Sequence, residues 1–159
     1  MNKKRKIIIA VVCVLVVAVI AVCAGVGYYY TRPERTAQKV LTAVYTADEA
    51  EIQKRREAID NKTFDTYMRE RCDGAVTDKC TEGMIAACAL YYGATPAKVE
   101  SIKLSPIDKA TSDTASFQYT AVFSDDSDVK ERIGHVVMKK ENGKWRVNSF
   151  GTKSITRAD

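Results

Sequence analysis

The residue types that most often carry out catalysis are scarce in this chain. Nucleophilic and acid–base catalysis usually employ a histidine, and the only histidine is His135. Its strand pattern, with Ile133 and Val137 on its own face, predicts a core or half-buried imidazole. In "TASFQYTAVF" Tyr119 is expected to point inward, and no acidic residue shares its face. The sequence therefore offers no catalytic set, and we expect that the protein is not an enzyme.

Cysteines and aspartates are the other side chains that could bind a metal. Cys72, Cys80 and Cys88 are separated by seven residues each, whereas structural zinc sites use close pairs such as Cys-x2-Cys. The stretch "SDDSD", residues 124–128, contains half of a calcium loop without the later glycine and glutamate. We expect no metal and no cofactor, and a solvated turn at the aspartates.

The same cysteines fit a disulfide better than a metal site. Along one helix Cys80 and Cys88 would lie about 12 Å apart, which is too far for a bond. Cys72 ends one predicted helix and Cys80 begins the next, and the ends of a helical hairpin can approach closely. We therefore predict a Cys72–Cys80 disulfide and a buried thiol at Cys88. The alternative is that all three cysteines stay reduced.

The longest uncharged stretch lies near the N-terminus, in "KKRKIIIAVVCVLVVAVIAVCAGVGYYYTRPER". Residues 7–27 are 21 residues without a charge, and as a helix they would span about 31 Å, close to the hydrocarbon thickness of a bilayer. Signal-peptide apolar regions are usually about 7–15 residues long. We predict a retained transmembrane anchor, with a leader cut after Ala24 as the alternative. A lipoprotein is disfavoured, since valine precedes both Cys13 and Cys23.

The charges beside this run predict its orientation. Residues 3–6 are all basic, whereas on the other side Arg32 and Arg35 flank Glu34. The more positive side stays in the cytoplasm, and the tyrosines at 28–30 suit the headgroup region. We expect a cytoplasmic N-terminus (1–6), a single span of the cell membrane (7–30) and an extracytoplasmic domain (31–159).

The net charge of +5 is misleading for the outer domain. Four basic residues lie in the N-terminal cluster, which leaves 21 basic against 20 acidic residues. The outer domain is therefore close to neutral. Nucleic-acid binding requires an excess of basic surface, so we expect no nucleic-acid partner.

The first half of the outer domain has helical periodicity. Pro33 suits a first helical position, and an apolar stripe follows at residues 37, 40, 41, 44 and 45. The "TADE" that begins at Thr46 has the form of a capping box and predicts a second helix, unless one helix continues to Ile59. The charged "EIQKRREAID" is predicted to be a solvated face. Two further short helices are predicted around residues 64–72 and 84–92.

The second half has strand periodicity. Apolar and polar residues alternate in "TASFQYTAVF", and further strands are predicted in "KVESIKLSPI", "ERIGHVVMKK" and "KWRVNSF". Asn142 and Gly143 accept the positive φ angles of a tight hairpin turn, and Trp145 beside it is predicted to be buried. The order indicates an α+β fold, with N-terminal helices packed on a curved antiparallel sheet of about four strands.

The anchor, the helical half, the meander and the closing "KKENGKWRVNSF" resemble extracytoplasmic members of the nuclear-transport-factor-2-like (cystatin-like) superfamily. The order of elements is most similar to the periplasmic domain of the assembly component of conjugative type IV secretion systems, which also follows a single-pass anchor. The resemblance covers residues 33–150 and implies a cone-shaped sheet closed by helices. It implies no single function, because this fold carries enzymes, carriers and scaffolds.

Three functions remain. The preferred one is a non-catalytic interaction or assembly module that docks onto other proteins of the bacterial envelope. The second is a domain that binds a small apolar ligand between the sheet and the helices. Its pocket would be lined by Tyr91, Tyr92, Phe117, Tyr119, Phe123 and Trp145. The third is an isomerase-like enzyme, for which the resemblance implies an acid and a tyrosine inside the cone.

If residues 7–30 are a retained anchor, a reporter enzyme fused after Asp159 is active only outside the cytoplasm, and the mature chain keeps residues 1–27. Reporter activity and mass analysis of the N-terminal peptide check both points. A secreted product that begins near Gly25 contradicts the anchor and supports the cleaved leader.

Overall fold

The computed structural model describes Val12 and residues 14–18, 32–87 and 96–157. The chain divides into two compact units, Met1–Arg32 and Pro33–Asp159. In the first unit Val12 and residues 14–18 are helical and exposed. No helix among the described residues is long and apolar enough to cross a membrane. Most of the predicted anchor at residues 7–30 lies outside the described residues, so the anchor stays a prediction.

The second unit is an α+β domain in which helices pack against a four-stranded antiparallel sheet. Its described helices are α1 (Pro33–Tyr45), α2 (Glu49–Asp60), α3 (Phe64–Arg71) and α4 (Asp78–Ala87). Its strands are β1 (Val99–Pro106), β2 (Thr114–Phe123), β3 (Val129–Glu141) and β4 (Lys144–Arg157). The strands follow one another as an open meander, with β1 and β4 as the outer strands. This confirms the predicted class and the order of helices before strands.

Helix α1 packs on the sheet through the predicted apolar stripe. Its buried residues are Ala37, Val40, Leu41, Val44 and Tyr45. This spacing places them on one side of the helix, and α1 contacts β1, β3 and β4. Gln38 Nε2 also donates a hydrogen bond to the carbonyl oxygen of Ile102 on β1, at 3.0 Å.

A break separates α1 from α2, so the alternative of one long helix is wrong. Ala47 pairs with Ala97 in an isolated antiparallel bridge, with two hydrogen bonds of 2.8 Å between their main chains. The cap of α2 is Asp48, whose Oδ1 accepts from the Glu51 amide at 2.7 Å. The predicted cap at Thr46 is therefore wrong as well. Its Oγ1 instead accepts from the amide of Val99 at the start of β1, at 3.3 Å.

Helix α3 lies where it is predicted, with Phe64 and Met68 buried. Helix α4 buries Met84, which is 1% exposed. The continuation of α4 toward Cys88, Tyr91 and Tyr92 lies outside the described residues.

Strand β2 alternates as predicted, with residues 115, 117, 119, 121 and 123 buried. The face of β3 differs from the prediction by one residue. Val129, Arg132, Gly134, Val136 and Met138 are the buried positions, and His135 is exposed. The cause is the register between β2 and β3, which pairs Tyr119 with Gly134 and Gln118 with His135.

The hairpin between β3 and β4 has the predicted turn, with φ angles of 51° at Asn142 and 77° at Gly143. Trp145, which follows it, is half-buried rather than buried. It pairs with Lys140, whose Nζ lies 5.8 Å from the centre of the indole ring. The indole sits at the end of the sheet, where few elements remain to cover it.

Because Gly134 has no side chain, the side chain of Tyr119 can pass over β3 and reach the carbonyl oxygen of Gly151 on β4. A Cβ atom at Gly134 would lie 2.5 Å from Tyr119 Oη and 2.0 Å from the carbonyl oxygen of Gly151. The main-chain oxygen cannot move without disturbing the pairing of β3 and β4. Gly134 is therefore required by this close approach.

We expect Gly134→Ala to lower the free energy of unfolding by about 1–3 kcal/mol, the usual cost of overpacking. Gly83→Ala in α4 is the matched control, because nothing lies within 4 Å of its added Cβ. The free energy of unfolding of Gly83→Ala should rise by about 0.5–1 kcal/mol, since alanine favours a helix. Chemical denaturation of both variants checks the pair. Equal stability of the two variants would contradict the close approach.

Candidate functional site

Arg55 of α2 holds the end of α1 from inside the protein. The side chain is 1% exposed. Its Nη1 donates to the carbonyl oxygen of Val44 at 2.9 Å, and its Nη2 donates to those of Ala43 and Thr46 at 3.1 and 3.2 Å. Its Nε donates to Glu51 Oε1 at 2.7 Å. The last carbonyl groups of a helix have no partner within the helix, and here a buried guanidinium supplies one.

Arg71, which ends α3, binds the same region from the other side. Its Nε donates to the carbonyl oxygen of Ala43 at 3.0 Å and its Nη2 to that of Thr46 at 2.9 Å. Its Nη1 forms an ion pair with Glu51 Oε2 at 2.9 Å. Two cations thus surround one buried carboxylate and the negative end of the α1 dipole.

Tyr67 of α3 completes this buried network by donating its hydroxyl to Glu51 Oε2 at 2.6 Å. Burial raises the pKa of Tyr67 to about 12, and the hydrogen bond and charge of Glu51 add to the rise. Arg71 and Arg55 act in the opposite direction. The phenol therefore stays protonated, and remains a donor, at physiological pH.

The sequence does not indicate this network, because the charged "EIQKRREAID" stretch predicts a solvated face. That prediction is wrong for Glu51 and Arg55, which are buried. One signal was present. Arg55 lies three residues after Ile52 and three before Ala58, and this spacing puts it on the apolar side of α2.

A polar cleft of about 580 Å³ opens beside this network. The α1–α2 junction, Arg71, the residues before β1 and the β2–β3 turn form its walls. Its charged lining includes Asp48, Glu51, Lys54, Arg71, Lys98 and Asp126. Arg71 is held in place by Glu51 and two carbonyl groups. The cleft thus presents charges of both signs.

The residues of the predicted apolar pocket are distributed along the sheet. Phe117, Tyr119 and Phe123 are at most 3% exposed and belong to the hydrophobic core. Trp145 lies at the β3–β4 hairpin, at the opposite end of the sheet from Phe123. Tyr91 and Tyr92 lie outside the described residues, so the pocket as a whole stays a prediction.

Tyr45 of α1 packs against the inner aromatic residues. Its ring lies 5.8 Å from that of Tyr119 and 6.1 Å from that of Phe123. The hydroxyls of Tyr45 and Tyr119 form a short hydrogen bond, and Tyr119 Oη donates to the carbonyl oxygen of Gly151 at 3.2 Å. The Arg132 guanidinium lies over the Tyr45 ring, 5.2 Å from its centre. These contacts join α1 to β2, β3 and β4 inside the core.

Cys72 and Cys80 are both buried thiols in the structure, 0% and 3% exposed. Burial raises the pKa of the Cys80 thiol to about 12, and the nearby Cys72 adds to the rise. The described residues contain no group of cysteine, histidine and acidic side chains that could hold a metal ion. The predicted disulfide between the two cysteines remains a prediction.

The centre of the sheet face opposite the helices is termed the outer patch. It consists of Ser116, Gln118, Thr120 and Val122 of β2, Ile133, His135 and Val137 of β3, and Ser149 and Gly151 of β4. All are exposed or half-buried. None is an Asp, Glu, Lys or Arg, although such residues make up 28% of the chain. Gln118 and His135, which pair across β2 and β3, are its most exposed members.

Comparison with protein-family models, with curated proteins and with solved structures finds no match to this chain. The resemblance to the nuclear-transport-factor-2-like superfamily therefore stays a prediction.

Arg55→Met should lower the free energy of unfolding by about 3–5 kcal/mol, because it leaves a buried carboxylate with one cation fewer and takes the Arg55 donor away from the carbonyl group of Val44. The carbonyl groups of Ala43 and Thr46 keep Arg71 as a donor. Lys54→Met, on the exposed side of the same helix, is the control and should change it by less than about 0.5 kcal/mol. Chemical denaturation measures both.

The cost of Arg55→Met should also be smaller in a Glu51→Gln background, since the uncompensated charge is then absent. An Arg55→Met variant as stable as the Lys54→Met control would show that the buried network does not hold α1 in place.

Proposed function

We propose that this chain is a membrane-anchored, non-catalytic interaction module that works outside the cytoplasm. The apolar run at residues 7–30 and its basic N-terminal flank support the anchor and its orientation. Residues 31–159 would then form the outer domain that meets its partners. Other proteins of the bacterial envelope are the proposed partners.

The observation that carries this proposal is the lack of charge in the outer patch. The central part of a protein–protein interface is depleted in charged residues, while its rim is polar. The outer patch has this composition. Charged residues surround it, with Lys103 on β1, Glu131 and Lys139 on β3, and Arg146 on β4. Val122, Ile133 and Val137 supply half-buried apolar contacts inside that rim.

The size of the patch indicates the kind of contact. With strands about 4.8 Å apart and residues of one face about 6.6 Å apart along a strand, it covers roughly 300 Å². A stable interface uses about 800 Å² on each partner. The patch alone therefore suits a weak contact. An anchor in the same membrane as the partner would offset this weakness, because it raises the effective concentration of the two surfaces.

The resemblance to the assembly component of conjugative secretion systems supports the same kind of role, since in that group an anchored domain also follows a single span. The ligand-binding alternative has less support. Phe117, Tyr119 and Phe123 pack in the core, and the polar cleft is lined by charged side chains of both signs. The isomerase alternative has the least support, because Tyr119 is fully buried in the core and is not open to a substrate.

A photoreactive benzophenone amino acid at Gln118 of the full-length, membrane-bound chain tests this proposal. Gln53, an exposed glutamine on α2, is the matched control position. We expect ultraviolet light to join position 118, and not position 53, to an envelope protein that mass spectrometry identifies. His135→Asp, which places a charge in the middle of the patch, should weaken the adduct in a chain that folds normally by circular dichroism.

Adducts from both positions, from position 53 alone or from neither would contradict docking through the outer patch. An adduct that His135→Asp leaves unchanged would contradict it too.

A further inference from the structure

Residues 73–77 form a strap between α3 and α4 that runs beside the outer strand β4, where Val76 pairs with Val147 in an isolated parallel bridge. The amide of Val147 on β4 donates to the carbonyl oxygen of Ala75 at 2.8 Å, and the amide of Thr77 donates to that of Val147 at 3.0 Å. Val76, between them, is fully buried. Thr77 Oγ1 also donates to Asn148 Oδ1 at 3.3 Å. The strap therefore attaches α3 and α4 to the sheet.

The strap begins and ends at a buried cysteine. Cys72 is the C-cap of α3, and its carbonyl oxygen accepts from the Ala75 amide at 2.9 Å. Cys80 lies in the first turn of α4, and its amide donates to the carbonyl oxygen of Thr77 at 3.0 Å. Both side chains belong to the hydrophobic core beside Val76. The two helices that carry these cysteines, α3 and α4, contact each other.

We propose that Cys72 and Cys80 are an oxidative modification site, at which a disulfide joins the two ends of the strap. The site reacts only while α4 is away from the core. A thiolate is the reactive form of cysteine, and burial of both side chains suppresses it and excludes an oxidant. In the undocked hairpin both thiols are accessible, and the short strap keeps them close.

The reaction is a thiol–disulfide exchange with a disulfide oxidant, either a small disulfide or a dithiol oxidoreductase in its oxidised form. One cysteine thiolate attacks a sulfur of the oxidant, which releases one thiolate and forms a mixed disulfide. The second cysteine thiolate then attacks the protein sulfur of that mixed disulfide and releases the other oxidant thiolate. The two protein thiols lose two electrons and two protons, and the oxidant gains both as two thiols.

Closing the strap restricts the unfolded chain. The closed loop, residues 72–80, contains nine residues, and chain entropy predicts that such a bond lowers the equilibrium constant of unfolding roughly 80-fold. Formation of the bond is thus coupled to folding. Reduced chains that have already folded would stay reduced, whereas chains that fold in an oxidising compartment would acquire the bond.

Oxidised glutathione is the probe that tests this proposal on the full-length chain. In one sample it is added to the folded, reduced protein; in the other it is present while the denatured protein refolds. Peptide mass mapping then measures the Cys72–Cys80 linkage. We expect the linkage in the refolded sample and at least a tenfold slower appearance in the folded one. The linked protein should also unfold with an equilibrium constant roughly 80-fold below that of the reduced protein.

Cys88→Ala is the control variant and should give the same linkage at the same rates. Alkylation of the folded, reduced wild-type protein gives a second measurement that needs no variant, and Cys72 and Cys80 should be protected until denaturant is added. No Cys72–Cys80 linkage after refolding would overturn the proposal. Equal rates in the two samples, or rapid alkylation of the folded protein, would overturn the claim that burial prevents the two thiols from reacting.

Discussion

The carbonyl groups that end α1 must find hydrogen-bond donors in the interior, and Arg55 and Arg71 supply them. Arg55 is buried and Arg71 is half-buried, and burying a guanidinium group costs several kcal/mol unless charge and hydrogen bonds compensate. Glu51 and the dipole of α1 provide that compensation. Because Arg55 belongs to α2 and Arg71 to α3, this one network joins three helices. The position of α1 on the sheet depends on it.

Tyr45 connects the end of α1 to the sheet. It directly follows Val44, whose carbonyl oxygen binds Arg55, and its hydroxyl meets that of Tyr119 on β2. Tyr119 in turn requires the bare backbone of Gly134 on β3. A shift of α1 would therefore disturb the phenol pair and the packing of β2 on β3, so the helical and sheet halves form one cooperative core.

The surfaces of the domain differ in charge and in side-chain composition. The inner sheet face is occupied by α1 and by aromatic side chains that contact each other, and the strap pairs with the outer edge of β4. The polar cleft has charged walls, and Glu51 and Arg71 of the buried network form part of them. The outer patch is uncharged, and most of its side chains are short or β-branched, which limits the conformational entropy lost on contact. These differences are the physical basis for assigning partner binding to the outer patch.

Local patterns in the sequence determined much of the fold. The stripe of α1, the alternation of β2 and the Asn142-Gly143 turn depend on near neighbours in the chain, and all three were predicted correctly. Only the tertiary structure decided the face of β3, because a shift of one residue exchanges its two faces and the pairing with Tyr119 selects Gly134. The same holds for Arg55. Its charge predicts a solvent-exposed side chain. Its burial follows from carbonyl groups and a carboxylate that only the folded chain brings together.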